Sequence, residues 1–151
     1  MFSKATEYAL RATIFIAEKG TKNNKISIEE IAKAIDSPRP FTAKILQLLS
    51  KGNVISSAKG PNGGFYITRK SLKLPAKAIL EAIEKEDTLN RCILGLHNCS
   101  ESNPCPMHAE YKSIRLQLNN LFHKKTIQNL ADKMKENNIF INNSKDKSAG
   151  K

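Results

Sequence analysis

The chain has 151 residues and a formal net charge of +11, because Lys and Arg outnumber Asp and Glu by 25 to 14. This length allows one domain with a short appendage, and the charge favours a polyanionic partner, nucleic acid first. Charged residues interrupt every apolar stretch near the N-terminus and no run approaches transmembrane length, so we expect a cytoplasmic protein without a membrane partner. In a reducing compartment, three cysteines favour ligand or redox chemistry over a disulfide framework.

The first part of the chain predicts three helices. Residues 3–19 carry apolar side chains at helical spacing. Ser27 and Glu30 match a capping box, which begins a second, short helix. After a break, Pro38 or Pro40 suits the first turn of a third helix that runs to about residue 51. The second and third helices therefore form a helix-turn-helix.

The third helix should turn one face to the core and the other to solvent. We take the apolar side chains as the core face: Phe41, Ile45, Leu48 and Leu49. A turn of about 100° per residue then leaves a small, polar and basic outward face. Its predicted members are Arg39, Ala43, Gln47 and Ser50, with Thr42 and Lys44 on the flanks.

Residues 54–57 and 64–68 predict two short strands, joined by a turn over 59–63 whose residues permit positive φ. A helix-turn-helix followed by a hairpin is a winged helix, in which the second helix fits the DNA major groove and the hairpin, or wing, follows the phosphates. We therefore predict a DNA-binding domain over residues 1–70; an ordinary helical domain with a hairpin is the alternative. The candidate DNA contacts are Arg39, Thr42, Ala43, Lys44 and Gln47, together with Lys59, Gly60, Asn62 and Gly63 in the wing.

The second half of the chain predicts a connecting segment over 71–91, including a helix over 75–84, and a long helix from about residue 107 to 124. Four apolar residues of the long helix follow the 3-4-3 spacing of a coiled-coil seam: Tyr111, Ile114, Leu118 and Leu121. We expect this seam to pair with a second copy of the chain, although it could instead pack on the chain's own core. A last helix, capped by Thr126, completes the region 107–137, and the polar residues 138–151 are predicted to be disordered.

All three cysteines and two of the three histidines lie in a loop over residues 92–108, in the pattern Cys92-x6-Cys99-x5-Cys105-x2-His108. Thiolates and a neutral imidazole suit zinc or an iron-sulfur cluster, and these residues alone do not separate the two. A metal-free thiol switch is a further reading. We expect no enzyme and no small-molecule substrate, because a Cys105–His108 nucleophile pair would lack an oxyanion element and a third orienting residue.

Over roughly residues 1–137 the chain resembles the Rrf-two (BadM/Rrf) family of bacterial winged-helix transcriptional regulators. The resemblance rests on the opening KATEYALR (4–11), the wing SAKGPNGGF (57–65), and the three cysteines with His108. It implies a mainly α fold, with a two-stranded hairpin wing and a long C-terminal dimerisation helix. It also implies a homodimeric repressor or dual regulator that binds a pseudo-palindromic operator in double-stranded DNA.

In this family, an iron-sulfur cluster or the thiol state controls operator affinity in response to iron-sulfur status, redox or nitric oxide. By position, Cys92, Cys99 and Cys105 are the implied metal ligands. The fourth ligand is His108 or, alternatively, Glu7 donated by the partner subunit. The resemblance favours a 2Fe-2S cluster over 4Fe-4S, with zinc as the alternative. The first spacer has six residues where the best-studied cluster-binding members of the family have five, so cluster type does not transfer directly. Ala43 stands where the 2Fe-2S regulator of the family has glutamate, so the operator should differ.

Overall fold

The computed structural model describes residues 2–136 and 139–142, which form seven helices and one two-stranded sheet. In chain order the elements are α1 (Lys4–Lys19), α2 (Ile28–Ala34), α3 (Arg39–Lys51), β1 (Ser56–Ala58), β2 (Gly64–Tyr66), α4 (Arg69–Leu72), α5 (Lys77–Ile83), α6 (His108–Lys124) and α7 (Ile127–Lys133). The predicted fold class, mainly α with a hairpin wing and a long C-terminal helix, is confirmed. None of the described helices is long and apolar enough to cross a membrane.

Helix α1 is the centre of the molecule. It begins at the cap residue Ser3, whose Oγ accepts the Thr6 N–H at 3.1 Å, and it ends at Gly20. Its inner face packs against α2, α3, α5 and α7. The main core is aliphatic and includes Ile16, Ile31, Ile45, Leu49, Ile79 and Ile127, all essentially inaccessible to solvent. Burial of each such side chain contributes about 1.5–3 kcal/mol, so this core holds the helix-turn-helix to the C-terminal region.

The helix-turn-helix consists of α2 and α3. The Ser27 Oγ accepts the Glu30 N–H at 3.1 Å, which confirms the serine half of the predicted capping box. The turn that follows α2 places Asp36 in the left-handed region, with φ of 56°. Helix α3 then begins after Pro38, with Pro40 in its first turn.

The predicted core face of α3 is half right. Ile45 and Leu49 are buried as predicted, but the other two buried side chains are Thr42 and Leu46, and Leu48 is only half-buried. Phe41 is 39% exposed and packs edge-on against Tyr8, with ring centroids 5.4 Å apart. Thr42 tolerates burial because its hydroxyl donates to the Pro38 carbonyl at 2.9 Å.

The wing pairs β1 with β2 in antiparallel register, with Ser57 opposite Phe65. Its first strand begins two residues later than predicted, because Val54 and Ile55 are part of the core. Ile26 exchanges two backbone hydrogen bonds with Phe65, each 2.8 Å long. The segment before α2 therefore extends the hairpin by a third, very short strand.

The C-terminal region has a second, smaller core of Ala76, Leu80, Leu89 and Phe122, with Leu118 packed against it. Thr126 caps α7 in a capping box with Asn129, which confirms the predicted cap. The prediction of a disordered tail over 138–151 is wrong for residues 139–142: Ile141 packs on the main core, and the Asn142 side chain donates to the Ala34 carbonyl at 3.0 Å. The remainder of that tail lies outside the described residues.

Candidate metal centre and nucleic-acid interface

The loop between α5 and α6 brings the three cysteines together. The Sγ atoms of Cys92, Cys99 and Cys105 all lie within 4.8 Å of one another, and those of Cys92 and Cys105 are 3.6 Å apart. Cys92 is buried, whereas the other two thiols are half-buried. We call these three residues the thiol group.

Local turns in the loop place the thiol group. The Gly95 N–H donates to the Cys92 carbonyl at 2.9 Å, and Gly95 has a φ of 76° that favours glycine. A second turn joins Ser100 and Asn103 through two backbone hydrogen bonds of 3.1 Å. The His108 N–H donates to the Cys105 carbonyl at 3.1 Å, so the last cysteine leads directly into α6.

His108 lies beside the thiol group at the first residue of α6. Its Nδ1 is 3.3 Å from the Cys99 Sγ, and its side chain is only 9% exposed. Its Nε2 bonds to the carboxylate of Glu101, whose other oxygen accepts from the Lys112 ammonium at 2.7 Å. Sequence reasoning missed Glu101, although it is the single acidic residue between Cys92 and His108.

Hydrogen bonds give the thiols different acidities. Backbone N–H groups, first of Leu96 and then of Leu94, lower the pKa of Cys92 to about 7, against burial, which raises it. A backbone hydrogen bond from Cys105 lowers the pKa of Cys99, but burial and the neighbouring thiols raise it by more, so the pKa of Cys99 is raised overall.

Hydrogen bonds from Lys112 and then His108 lower the pKa of Glu101 to about 2.

The side chains that converge here fit the metal centre that the family resemblance implies, an iron-sulfur cluster or a zinc ion. Three sulfur donors and one imidazole nitrogen converge, in two close pairs, Cys92 with Cys105 and Cys99 with His108. Such donors suit an iron-sulfur cluster and also a single zinc ion. Glu7 lies elsewhere, on α1, where its carboxylate pairs with the Lys4 ammonium at 3.5 Å, so its ligand role would require the partner subunit.

The thiol group is accessible to small reactants. One open pocket of about 260 Å³ is lined by residues that include Arg91, Cys92, His97 and Cys99. A second pocket, of about 480 Å³, reaches Cys99 and Cys105 from the side of Pro104. Two open pockets therefore lead from the solvent to the thiol group.

The predicted DNA contacts on α3 are only partly exposed. Arg39, Lys44 and Gln47 are exposed, whereas Ala43 is half-buried. The Arg39 Nε lies 2.6 Å from the Glu29 carboxylate, and this hydrogen bond lowers the pKa of Glu29. The inclusion of Thr42 among the DNA contacts is wrong, because its side chain is fully buried.

The wing presents most of its predicted contacts to solvent. Lys59, Gly60 and Asn62 are exposed, and Gly60 has a φ of 100°. The Gly63 N–H donates to the Gly60 carbonyl at 2.9 Å, and a Cβ at Gly63 would lie 2.3 Å from the Ala58 carbonyl oxygen. Gly63 therefore closes the turn, and its N–H is not directed outward.

Two of the four residues in the predicted seam of α6 are exposed in one chain. Ile114 and Leu121 are exposed, Tyr111 is half-buried, and Leu118 packs on the second core. Phe122 is the single buried residue of this 17-residue helix.

The fold defines a winged-helix protein with a cysteine-rich loop. The model of the Rrf2 family, iron-dependent transcriptional regulators, matches residues 2–133. A protein of Aquifex aeolicus (strain VF5), named as an HTH-type transcriptional regulator, is 34% identical over 142 residues, covering 93% of this chain and 96% of that protein. The chain therefore belongs to the Rrf2 family of transcriptional regulators, which confirms the resemblance seen in the sequence.

Solved structures show the same fold. CymR, the global cysteine regulator of B. subtilis, superposes with a TM-score of 0.70 at 17% identity, covering 88% of this chain and 97% of that chain. IscR of T. potens superposes with a TM-score of 0.69 at 14% identity, covering 92% of this chain and 91% of that one. These two likenesses support the winged-helix architecture.

Proposed function

We propose that this protein is a homodimeric, operator-binding transcriptional regulator, a repressor or dual regulator, whose DNA affinity is controlled by an iron-sulfur cluster held by Cys92, Cys99, Cys105 and His108. The observation that carries the proposal is the convergence of the three sulfurs within 4.8 Å, with His108 beside them, in a member of the Rrf2 family. The cluster would supply a change of charge and ligation when it is gained, oxidised, nitrosylated or lost.

The DNA-reading part of the proposal rests on the exposed face of α3 and on the wing. Arg39, Lys44 and Gln47 offer donors to base edges and phosphates, and Lys59 and Asn62 stand at the tip of the wing. In a dimer, each α3 would read one half-site. The two half-sites should then lie about 34 Å apart, or a multiple of that distance.

The dimer part of the proposal rests on α6. A helix of this length with one buried residue has little reason to be stable alone, because helices in water depend on packing of their apolar face. Pairing with a second copy would cover Ile114 and Leu121. Since the ligand loop leads directly into α6, a change in the loop would alter how the two copies meet.

Anaerobic purification tests the cluster. The protein should be brown and contain iron and inorganic sulfide in stoichiometric amounts, and Cys99→Ala should lose the colour and both elements while it remains a folded dimer. Cys99 is half-buried in a loop, so its loss should leave the two cores intact. The control is His97→Ala, which removes a loop histidine that is exposed and should keep the cluster.

Two results would contradict the proposal. A colourless protein that contains zinc but neither iron nor sulfide would identify a structural zinc site. A metal-free protein that binds operator DNA when reduced and releases it when Cys92 and Cys105 form a disulfide would identify a thiol switch, which the 3.6 Å separation of their sulfurs makes geometrically accessible.

A further inference from the structure

We propose that Glu101 is a positioning residue for His108: its carboxylate selects the tautomer of the imidazole and directs the lone pair of Nδ1 at the thiol group. The inference rests on the proposed function, since it concerns a ligand of the same centre. It identifies a residue outside the ligand set that determines which fourth ligand the loop presents.

The hydrogen bond to Glu101 determines which nitrogen of the His108 imidazole carries the proton. The Nε2 of His108 bonds to one oxygen of Glu101, and a carboxylate accepts hydrogen bonds but does not donate them. Nε2 therefore carries the proton. In the neutral ring, the lone pair then lies on Nδ1, which is 3.3 Å from the Cys99 Sγ. This is the form of histidine that binds a metal through Nδ1.

The carboxylate is itself held in place from two sides. The turn between Ser100 and Asn103 fixes the backbone on either side of Glu101, and the Asn103 side chain donates to the Asn98 carbonyl at 3.1 Å. Lys112, one helical turn after His108 on α6, donates to the second carboxylate oxygen at 2.7 Å. Glu101 thus joins the loop to two residues on one face of α6.

This arrangement favours His108 over Glu7 as the fourth ligand. The imidazole is 9% exposed and already oriented toward a thiol, so little conformational freedom remains to be lost when it binds. A carboxylate that accepts a hydrogen bond from Nε2 also makes Nδ1 a stronger electron donor to a metal. Within one chain, Glu7 is paired with Lys4 on α1 instead.

The test compares Glu101→Ala and Glu101→Gln with Glu110→Ala. Glu110 is an exposed acid in the first turn of α6, so its variant makes the same charge change without touching His108. Glu101 is 67% exposed, so its replacement should not disturb folding. The glutamine variant keeps an oxygen that can accept the Nε2–H and should rescue the alanine variant.

The first measurement uses metal-free, reduced protein with ¹⁵N-labelled histidine and long-range ¹H–¹⁵N correlation; His108 signals are assigned by their loss in His108→Gln. Wild type, Glu110→Ala and Glu101→Gln should show the Nε2–H form. In Glu101→Ala this preference should be lost. The second measurement is cluster loss to a chelator under anaerobic conditions, which should be about 10–100-fold faster in Glu101→Ala than in wild type or Glu110→Ala.

Retention of the Nε2–H form in Glu101→Ala, together with a rate of cluster loss equal to that of Glu110→Ala, would overturn the inference. Absence of iron and sulfide from the wild-type protein would defeat the proposed function instead. In that case the tautomer measurement still decides the role of Glu101, because it requires no cluster.

Discussion

Thr42 shows how one hydroxyl can decide which side of a helix faces the solvent. Its oxygen lies 2.9 Å from the Pro38 carbonyl and 2.8 Å from the Ser37 Oγ, so the polar group is satisfied inside the protein. Because Thr42 can be buried, Phe41 is placed at the surface beside Tyr8. The outward face of α3 therefore consists of Phe41, Lys44 and Gln47, with Arg39 at its start.

Thr42→Val should lower the free energy of unfolding by about 1 kcal/mol, because it keeps the shape of the side chain and removes the hydrogen bonds. Operator affinity should not change. Urea unfolding and a DNA-binding titration measure the two effects. The control is Gln47→Ala, an exposed change that should leave stability within about 0.5 kcal/mol and weaken DNA binding. Weaker operator binding by Thr42→Val at unchanged stability would return Thr42 to the DNA contacts.

At the scale of elements, α6 differs from every other long helix of the described chain in how little of it is buried. Its exposed apolar residues lie on two sides. Ile114 and Leu121 are seven residues apart and share one face, whereas Leu116 points about 200° away from Ile114. Leu116 therefore serves as a control residue for a test of Ile114 in the dimer interface.

Ile114→Asp should weaken the dimer by about 2 kcal/mol, roughly thirtyfold in dissociation constant, because it buries a charge in an apolar seam. Leu116→Asp, at a residue that is 63% exposed on the other side, should leave the dimer unchanged. Sedimentation velocity over a range of micromolar concentrations compares the two. If both variants dissociate to the same extent, or if neither dissociates, Ile114 does not lie in the dimer interface.

The elements also show what the sequence could predict. The extent of α1 and the cap of α7 follow from signals within a few residues, the apolar spacing over 3–19 and Thr126, so they were predicted closely. The core face of α3 was predicted only for Ile45 and Leu49, because burial of Thr42 depends on the turn that precedes it. The ligand spacing marked the cysteines and His108, but the contact of Glu101 with His108 depends on how the loop folds back, which no local pattern reveals.

At the scale of the whole molecule, the net charge of +11 should make operator binding strongly dependent on salt. If the dimer makes six or more phosphate contacts, affinity should fall about 10³-fold or more between 50 and 200 mM salt. Arg39→Ala should weaken binding and reduce the slope of log affinity against log salt by about one per half-site.

Glu29→Gln is the matched control for that experiment. It removes the carboxylate that holds Arg39 and leaves the guanidinium available, so binding should become tighter. Fluorescence anisotropy at several salt concentrations measures both variants. Affinity that is independent of salt, or an Arg39→Ala slope equal to that of wild type, would contradict the electrostatic reading.

Hydrogen bonds attach the segment between α5 and α6, which holds the thiol group, to α6. The Asn119 side chain donates to the Leu89 carbonyl at 3.0 Å, Arg115 reaches the Asn90 carbonyl at 3.4 Å, and Glu101 holds His108 and Lys112 further along. We therefore expect the loop and α6 to loosen together while the helix-turn-helix stays folded. If the proposed cluster is lost from the proposed dimer, the helix-turn-helix should stay intact while the contact between the subunits changes, so that the same protein can accept a new cluster.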